Sequence, residues 1–236
     1  MISGIAPSDA IVSNLPAKLV ERLWQDATLI KASSGKTILA LGSTSTSVYL
    51  VLQGRVQVSL HSLAGREVIL RDLGESDLFG ELSAIDGQPR SASIVALTDC
   101  ALAAVGAEAF RSAAIGEPAT ALWLARRLTE RIRDLTDRVF ELNALRVSSR
   151  LHCELLRMCE ATAPRGCELV LDPAPTHAEL AARVGTHREA ITREMRFLGR
   201  RGIVIQERRR IRITDPRALE HLVELVTGER AQQAED

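Results

Sequence analysis

The chain has 236 residues, 46% of them apolar, and its 30 basic side chains balance its 30 acidic ones. This length holds one large or two modest domains with real cores, and the balanced charge excludes disorder driven by self-repulsion. The longest purely apolar runs, such as residues 101–105, fall far short of the ~20 residues a bilayer span needs; residues 1–15 carry Asp9 and lack the cationic start and apolar core of a secretory leader.

Four cysteines, Cys100, Cys153, Cys159 and Cys167, are too few for a disulfide scaffold in a chain this long, so a cytoplasmic, reducing setting is expected. The charge is unevenly placed: residues 1–122 hold 9 basic and 12 acidic side chains, residues 123–213 hold 19 and 12, and residues 214–236 hold 2 and 6. A positive segment between two negative ones suits a polyanion partner for that segment, although a solvated basic face fits the charge equally well.

Residues 16–24 read as a short helix. Short runs rich in Val, Ile, Leu and Tyr follow at 48–52, 55–60 and 67–73, bounded by Gly42, Gly54, Gly65 and Gly74. Val56, Val58 and Leu60 alternate with Gln57 and Ser59, the period-2 pattern of a half-buried strand. A further apolar group, 93–105, is punctuated by Asp99. Strands at this spacing predict a small antiparallel barrel or sandwich.

Between the strands lies the densest chemical motif, the segment FGELSAIDGQPRSA at 79–92. Gly80 permits close backbone approach, and residues 81–85 predict a helical turn whose N–H groups face an anion. Arg90 offers a planar charged fork for a phosphate, Ser91 a hydroxyl, and Glu81 an acceptor for sugar hydroxyls. On the residues alone, an ion pair between Glu81 and Arg90 bracing a loop is the simpler reading.

This segment resembles the phosphate-binding cassette of cyclic-nucleotide-binding domains, as in the CRP/FNR (catabolite activator) family. The resemblance extends over roughly residues 35–215. It implies that Glu81 binds the ribose 2′-OH, that Arg90 and Ser91 bind the cyclic phosphate, and that backbone at Gly80 and Leu82 assists.

After Gly116-Glu117-Pro118 the pattern turns helical. Ala121, Ala125, Leu128, Ile132, Leu135, Val139 and Leu142 follow alternating spacings of four and three, the a/d stripe of a two-stranded coiled coil over three heptads. An amphipathic helix packed on its own domain would show a broader apolar face. The resemblance implies a long dimerisation helix with polar residues reaching the nucleotide base. Aligning from the two ends disagrees by one turn; Thr136 is preferred over Arg131 and Ile132.

Residues 150–160 continue helical and 164–175 read as a Pro-containing loop. Thr176 and Glu179 then form a capping box that opens a helix to Val184; Gly185 permits a turn, and a second helix runs over 187–200. Two short helices joined at a glycine make a helix-turn-helix whose second helix enters the major groove. Residues 203–205 and 211–213 flank an arginine-rich hairpin tip, a wing near the phosphates. Residues 176–213 carry 10 basic against 4 acidic side chains, an excess expected on one helix face and the hairpin tip. The segment 186–193 resembles the recognition helix of the same family. Candidate DNA contacts are Thr176, His187, Arg188, Glu189, Thr192, Arg193, Arg196 and Arg209, with guanidinium groups reading guanine and the Glu189 carboxylate accepting from cytosine N4. His177 occupies a position held by a phosphate-contacting arginine in some family members.

Iron-sulfur sensors of the FNR branch use an N-terminal cysteine cluster, and no cysteine precedes Cys100. The spacings of Cys153, Cys159 and Cys167 match no common zinc or cluster pattern, and buried structural cysteine is the favoured reading. No metal is expected. No nucleophile–base pair appears at suggestive spacing, so an enzyme is the weaker class.

The expectation is an α+β protein: an antiparallel, jelly-roll-like β-roll effector domain over 1–117, a dimerisation helix over 118–146, and a winged helix-turn-helix over 147–236. The function expected is a cyclic-nucleotide-responsive transcription regulator, a homodimer on palindromic double-stranded DNA. cAMP is expected ahead of cGMP as effector, and RNA polymerase is implied as a partner. Two alternatives stay open: a regulator of this fold with an empty pocket or another effector such as haem, and a cytosolic nucleotide-binding module acting on a protein partner.

Overall fold

The computed structural model describes residues 15–62, 65–160 and 169–227. The N-terminal fourteen residues considered above for a leader, and Cys167, lie outside the described residues. The chain divides into two compact units between Arg133 and Asp134.

The first unit begins with helix α1 (Ala17–Asp26) and strands β1 (Thr28–Ala32), β2 (Thr37–Leu39), β3 (Val48–Gln53), β4 (Val56–His61), β5 (Glu67–Leu73) and β6 (Leu78–Phe79). Helix α2 (Glu81–Asp86), strands β7 (Ser93–Ala96) and β8 (Cys100–Val105) and helix α3 (Ala107–Ile115) follow. The strands form two antiparallel sheets in the orders β1-β8-β3-β6 and β2-β7-β4-β5, giving the expected β-roll.

Strand β3 is apolar over five consecutive residues because both of its faces are covered. Val48, Leu50 and Leu52 pack with Leu19, Leu23 and Phe110 of the helices, while Val51 and Tyr49 meet Val56, Phe79 and Leu102. Strand β8 divides its side chains in the same way, with Cys100 and Leu102 on one side and Ala103 and Val105 on the other. The apolar group expected as one segment at 93–105 is therefore two strands in different sheets, broken at the turn around Asp99. Gly54 makes that turn possible: at φ +92° it sits so close that a Cβ would lie 2.4 Å from the Asp99 carbonyl oxygen.

Helix α4 (Pro118–Ala144) runs for 27 residues, and the division between the units falls inside it. Thr120 and Leu124 are buried in the first unit, with the Thr120 hydroxyl donating to the Ala113 carbonyl. On the a/d stripe Ile132 is 63% exposed, Val139 59%, Leu142 49% and Leu135 39%. The helix thus anchors on the first unit through Thr120, Leu124 and the stripe residue Leu128, and carries an exposed apolar stripe from Ile132 onward. This stripe is the surface a two-stranded coiled coil would bury.

The second unit contains the end of α4, helix α5 (Val147–Glu160), strand β9 (Leu169–Leu171), helices α6 (His177–Val184) and α7 (Arg188–Arg200), strands β10 (Val204–Gln206) and β11 (Ile211–Ile213), and helix α8 (Pro216–Thr227). Leu151, Leu155, Leu180, Ile191, Met195 and Leu198 are fully buried in one core closed by the sheet β10-β11-β9. The stretch expected as a loop at 164–175 contains β9, which pairs antiparallel with β11 from Leu169↔Ile213 to Leu171↔Ile211. Among the described residues no helix is long and apolar enough to cross a membrane.

Candidate effector pocket and nucleic-acid interface

The cassette starts where β6 ends. Gly80 takes φ +84° as the residue before α2, and a Cβ there would lie 2.8 Å from both Arg90 Nη1 and the Ser47 carbonyl oxygen. Only glycine meets both demands. Glu81 is half-buried, Leu82 and Ser91 are exposed, and Arg90 is 3% exposed. These residues come together in the first unit, whereas Thr136 is exposed on α4 and belongs to the second.

Arg90 is directed into the protein. Its Nε donates to Ser45 Oγ at 3.0 Å, Nη1 to the Gly80 carbonyl at 2.8 Å and Nη2 to the Ser47 carbonyl at 2.6 Å. Its own backbone joins the same segment, donating to the Ser43 carbonyl and accepting from the Gly42 N–H. Burial lowers the guanidinium pKa, opposed by the nearby Tyr49 and the Glu81 carboxylate. The loop-bracing role weighed for Arg90 is therefore present, but its acceptors are the 45–47 segment and Gly80, and Glu81 acts through space. Of its five N–H donors, one on each terminal nitrogen is left over for a ligand.

The entrance to this segment is tied to the long helix. Asp77, just before β6, accepts from Arg127 Nη2 at 2.6 Å and from the Gly74 N–H at 3.0 Å. The Arg127 guanidinium also stands 5.9 Å from the centre of the Trp123 ring. No periodicity in the sequence marks this tether, because its partners are fifty residues apart.

In the second unit Arg188, Glu189, Thr192, Arg193 and Arg196 line one open concavity along α7. All but Thr192 are exposed, as are His187 at the N-cap of α7, Thr176, and Arg208 and Arg209 at the hairpin tip. The capping box forms: the Thr176 hydroxyl accepts from the Glu179 N–H at 3.2 Å, and the Glu179 carboxylate accepts from the Thr176 N–H at 2.6 Å. The turn between the helices is held by Gly185 at φ +68°. The imidazole of His177 lies between Thr192 Oγ1 at 2.9 Å and Gln206 Oε1 at 3.2 Å.

The basic excess is smaller than the residue count implies. Arg210 pairs with Asp172 at 2.6 Å, and Arg212 with Glu207 at 3.1 Å. Arg183, counted with the reading face, is buried, its Nη1 3.5 Å from Glu154 Oε1. Glu154 is the centre of a buried ion cluster that also holds Arg138 at 3.4 Å and Arg157, and Arg157 reaches Glu141 at 2.5 Å. Burial lowers the Arg138 pKa and raises that of Glu141, while the two carboxylates raise that of Arg157 against its own burial. Burial, with help from Glu141, pushes the Cys153 thiol up to about 11, far from a reactive thiolate at neutral pH. Cys100 and Cys159 are buried, and among the described residues no group of three or more metal-ligating side chains gathers.

Two family models match the chain: the cyclic nucleotide-binding domain over residues 29–115 and the Crp-like helix-turn-helix domain over 149–222. The cyclic AMP receptor protein of Thermus thermophilus is 32% identical over 170 residues, covering 72% of this chain and 76% of that protein. The CRP-like cAMP-activated global transcriptional regulator of Mycobacterium tuberculosis is 28% identical over 186 residues, covering 78% and 83%. Among solved structures, the c-di-GMP responsive global regulator CLP of Xanthomonas campestris superimposes with a TM-score of 0.73 at 21% identity, over 84% of this chain and 99% of that one.

Proposed function

The chain belongs to the CRP/FNR family of DNA-binding transcription regulators, and from that premise we propose that it is a cytoplasmic homodimer whose affinity for a palindromic operator is set by cAMP. The observation that carries this reading is the coexistence of two built sites. Gly80 and Glu81 open α2 with Arg90 donating to the Gly80 carbonyl, and Arg188, Glu189, Arg193 and Arg196 line one concavity on α7.

In this reading the ribose 2′-OH donates to Glu81. The cyclic phosphate takes the remaining Arg90 donors, the Ser91 hydroxyl and backbone at Gly80 and Leu82. The stripe Ile132, Leu135, Val139 and Leu142 pairs with its counterpart in a second copy. Two symmetric reading heads then require half-sites about 10 bp apart, or a multiple of that spacing. Arg188, Glu189, Arg193 and Arg196 face the major groove; Thr176, His187 and Arg209 reach the backbone. The dimer on DNA in turn presents a surface to RNA polymerase.

The test is calorimetric titration of the intact chain with cAMP, cGMP and cyclic di-GMP, followed by duplex binding with and without each ligand. cAMP should bind and tighten operator binding by about 5- to 150-fold, the usual range of coupling between two sites. Operator binding that ignores every cyclic nucleotide would overturn the effector assignment. One observation favours a second reading, a regulator of this fold with another effector: Arg90 already donates to three protein acceptors. Binding of cyclic di-GMP alone, the messenger named for the CLP structure, would select it.

A further inference from the structure

In the reading unit a single histidine joins both helices of the helix-turn-helix to the wing. His177 is the first residue of α6, Thr192 lies in the second turn of α7, and Gln206 ends β10 immediately before the hairpin tip. The ring nitrogens of His177 are directed one at each: Nδ1 at Thr192 Oγ1, 2.9 Å, and Nε2 at the Gln206 side-chain amide, 3.2 Å. We propose that His177 is a positioning residue for DNA reading, a strut that fixes the spacing of recognition helix and wing and makes no phosphate contact of its own.

The proton count supports this. The Thr192 hydroxyl donates its single hydrogen back to the Arg188 carbonyl at 3.0 Å, so toward His177 it can only accept, and Nδ1 carries a hydrogen. Nε2 then either donates to the Gln206 amide oxygen or accepts from its NH2, and the amide can present either end. The strut therefore holds whether the ring is neutral or charged. Both polar atoms of the ring are engaged inside the unit, which leaves none for a phosphate.

The wing needs such support. Its strands are three residues each, and Gln206 pairs only with Ile211. From the other side the tip is held by the ion pair of Arg210 with Asp172 and by the Ala174 N–H donating to the Arg209 carbonyl. The strut also changes what Thr192 can read. Its donor is committed to Arg188, so its methyl group, suited to a thymine methyl, is the part left for a base edge.

The inference rests on the reading of this unit as a binder of duplex DNA, and the test separates the two. Operators are selected from random duplexes with the wild-type chain, and affinity is measured against salt on an operator and on a scrambled duplex. His177→Phe keeps a planar ring and removes both hydrogen bonds. It should weaken operator binding about tenfold, the order expected for lost hydrogen bonds, and leave scrambled affinity and salt slope unchanged. Thr192→Val should act in the same direction, the double variant should lose little more than either single one, and His177→Gln should recover part of the loss. Thr192→Val and Gln206→Met carry the test should His177→Phe fail to fold.

An equal loss on both duplexes with a shallower salt slope would make His177 a phosphate contact and overturn the strut, as would unchanged operator affinity in the variants. A wild-type chain that retains no duplex at low salt would instead overturn the DNA reading itself.

Discussion

The cassette of the first unit and the reading face of the second both depend on arginine, and they use it in opposite ways. Arg90 is 3% exposed and donates from all three nitrogens to Ser45, Gly80 and Ser47. Arg188, Arg193 and Arg196 stand exposed along one concavity of α7. The first arrangement is already desolvated and fixed, so an anion arriving there meets a preorganised donor but competes with protein acceptors. The second remains hydrated and free to adapt, and its desolvation cost falls on the moment of binding. An anion at the cassette would thus meet an arginine already held by protein acceptors, and one at α7 arginines still in water.

The sharpest way to break that comparison lies inside the second unit, where arginine is also turned inward. Glu154 and Arg183 have side chains 3% and 5% exposed. Glu154→Leu leaves Arg183 and Arg138 buried without their shared carboxylate and should cost about 3–5 kcal/mol of stability, read as a lowered denaturant midpoint. A loss under about 1 kcal/mol, the size of an exposed pair, would mean that water already screens the cluster. Arg90→Ala should follow, at about 2–4 kcal/mol, because it strips donors from the carbonyls of Gly80 and Ser47. Nucleotide binding should be lost with it in calorimetry. The side chain is therefore a structural part of the β-roll as well as a candidate ligand, and the variant separates the two only when stability and binding are measured together. Binding retained in a folded Arg90→Ala chain would remove Arg90 from the pocket.

What the sequence displayed was what is local. The capping box of Thr176 and Glu179, the glycine at 185 and the three-four stripe on α4 are set by residues within a few positions of one another, and each is present in the fold. The break in the group at 93–105 shows in the sequence only as Asp99, which does not reveal that β7, alternating in burial, and β8, covered on both faces, belong to different sheets. Strand β1, TLIKA, mixes exposed Thr28 and Lys31 with buried Ala32, and it owes its state to pairing with β8 some seventy residues on. Strand β9 has three residues, too few for any period to register. At the cassette, the residue types announced an anion site, but the acceptors of Arg90 are backbone carbonyls and a serine up to 45 residues upstream. Arg183 looked like one more cation of the reading face, because a charge in sequence does not say which way its helix will turn it.

On the open side the comparison predicts smaller and more selective effects. Arg193→Ala should leave stability unchanged, since the side chain is exposed, and should cost about 1–3 kcal/mol of operator binding with relaxed preference at one base pair. An equal loss on every sequence would reduce Arg193 to a phosphate contact.

Arg209 marks the lower limit. It is exposed at the tip of a wing whose neighbouring cations, Arg210 and Arg212, are paired with Asp172 and Glu207. An exposed guanidinium at a hairpin tip meets the sugar-phosphate backbone without reaching a base edge, so Arg209→Ala should weaken operator and scrambled duplexes alike and lower the salt slope by about 1. The paired neighbours should behave differently. Arg210→Ala frees Asp172 beside the tip, so its loss combines a missing cation with an uncovered anion and should exceed that of Arg209→Ala in low salt, converging with it as salt screens both. If the two variants instead matched at every salt concentration, the ion pair with Asp172 would open on DNA, and Arg210 would join the exposed Arg208 and Arg209 in facing the backbone.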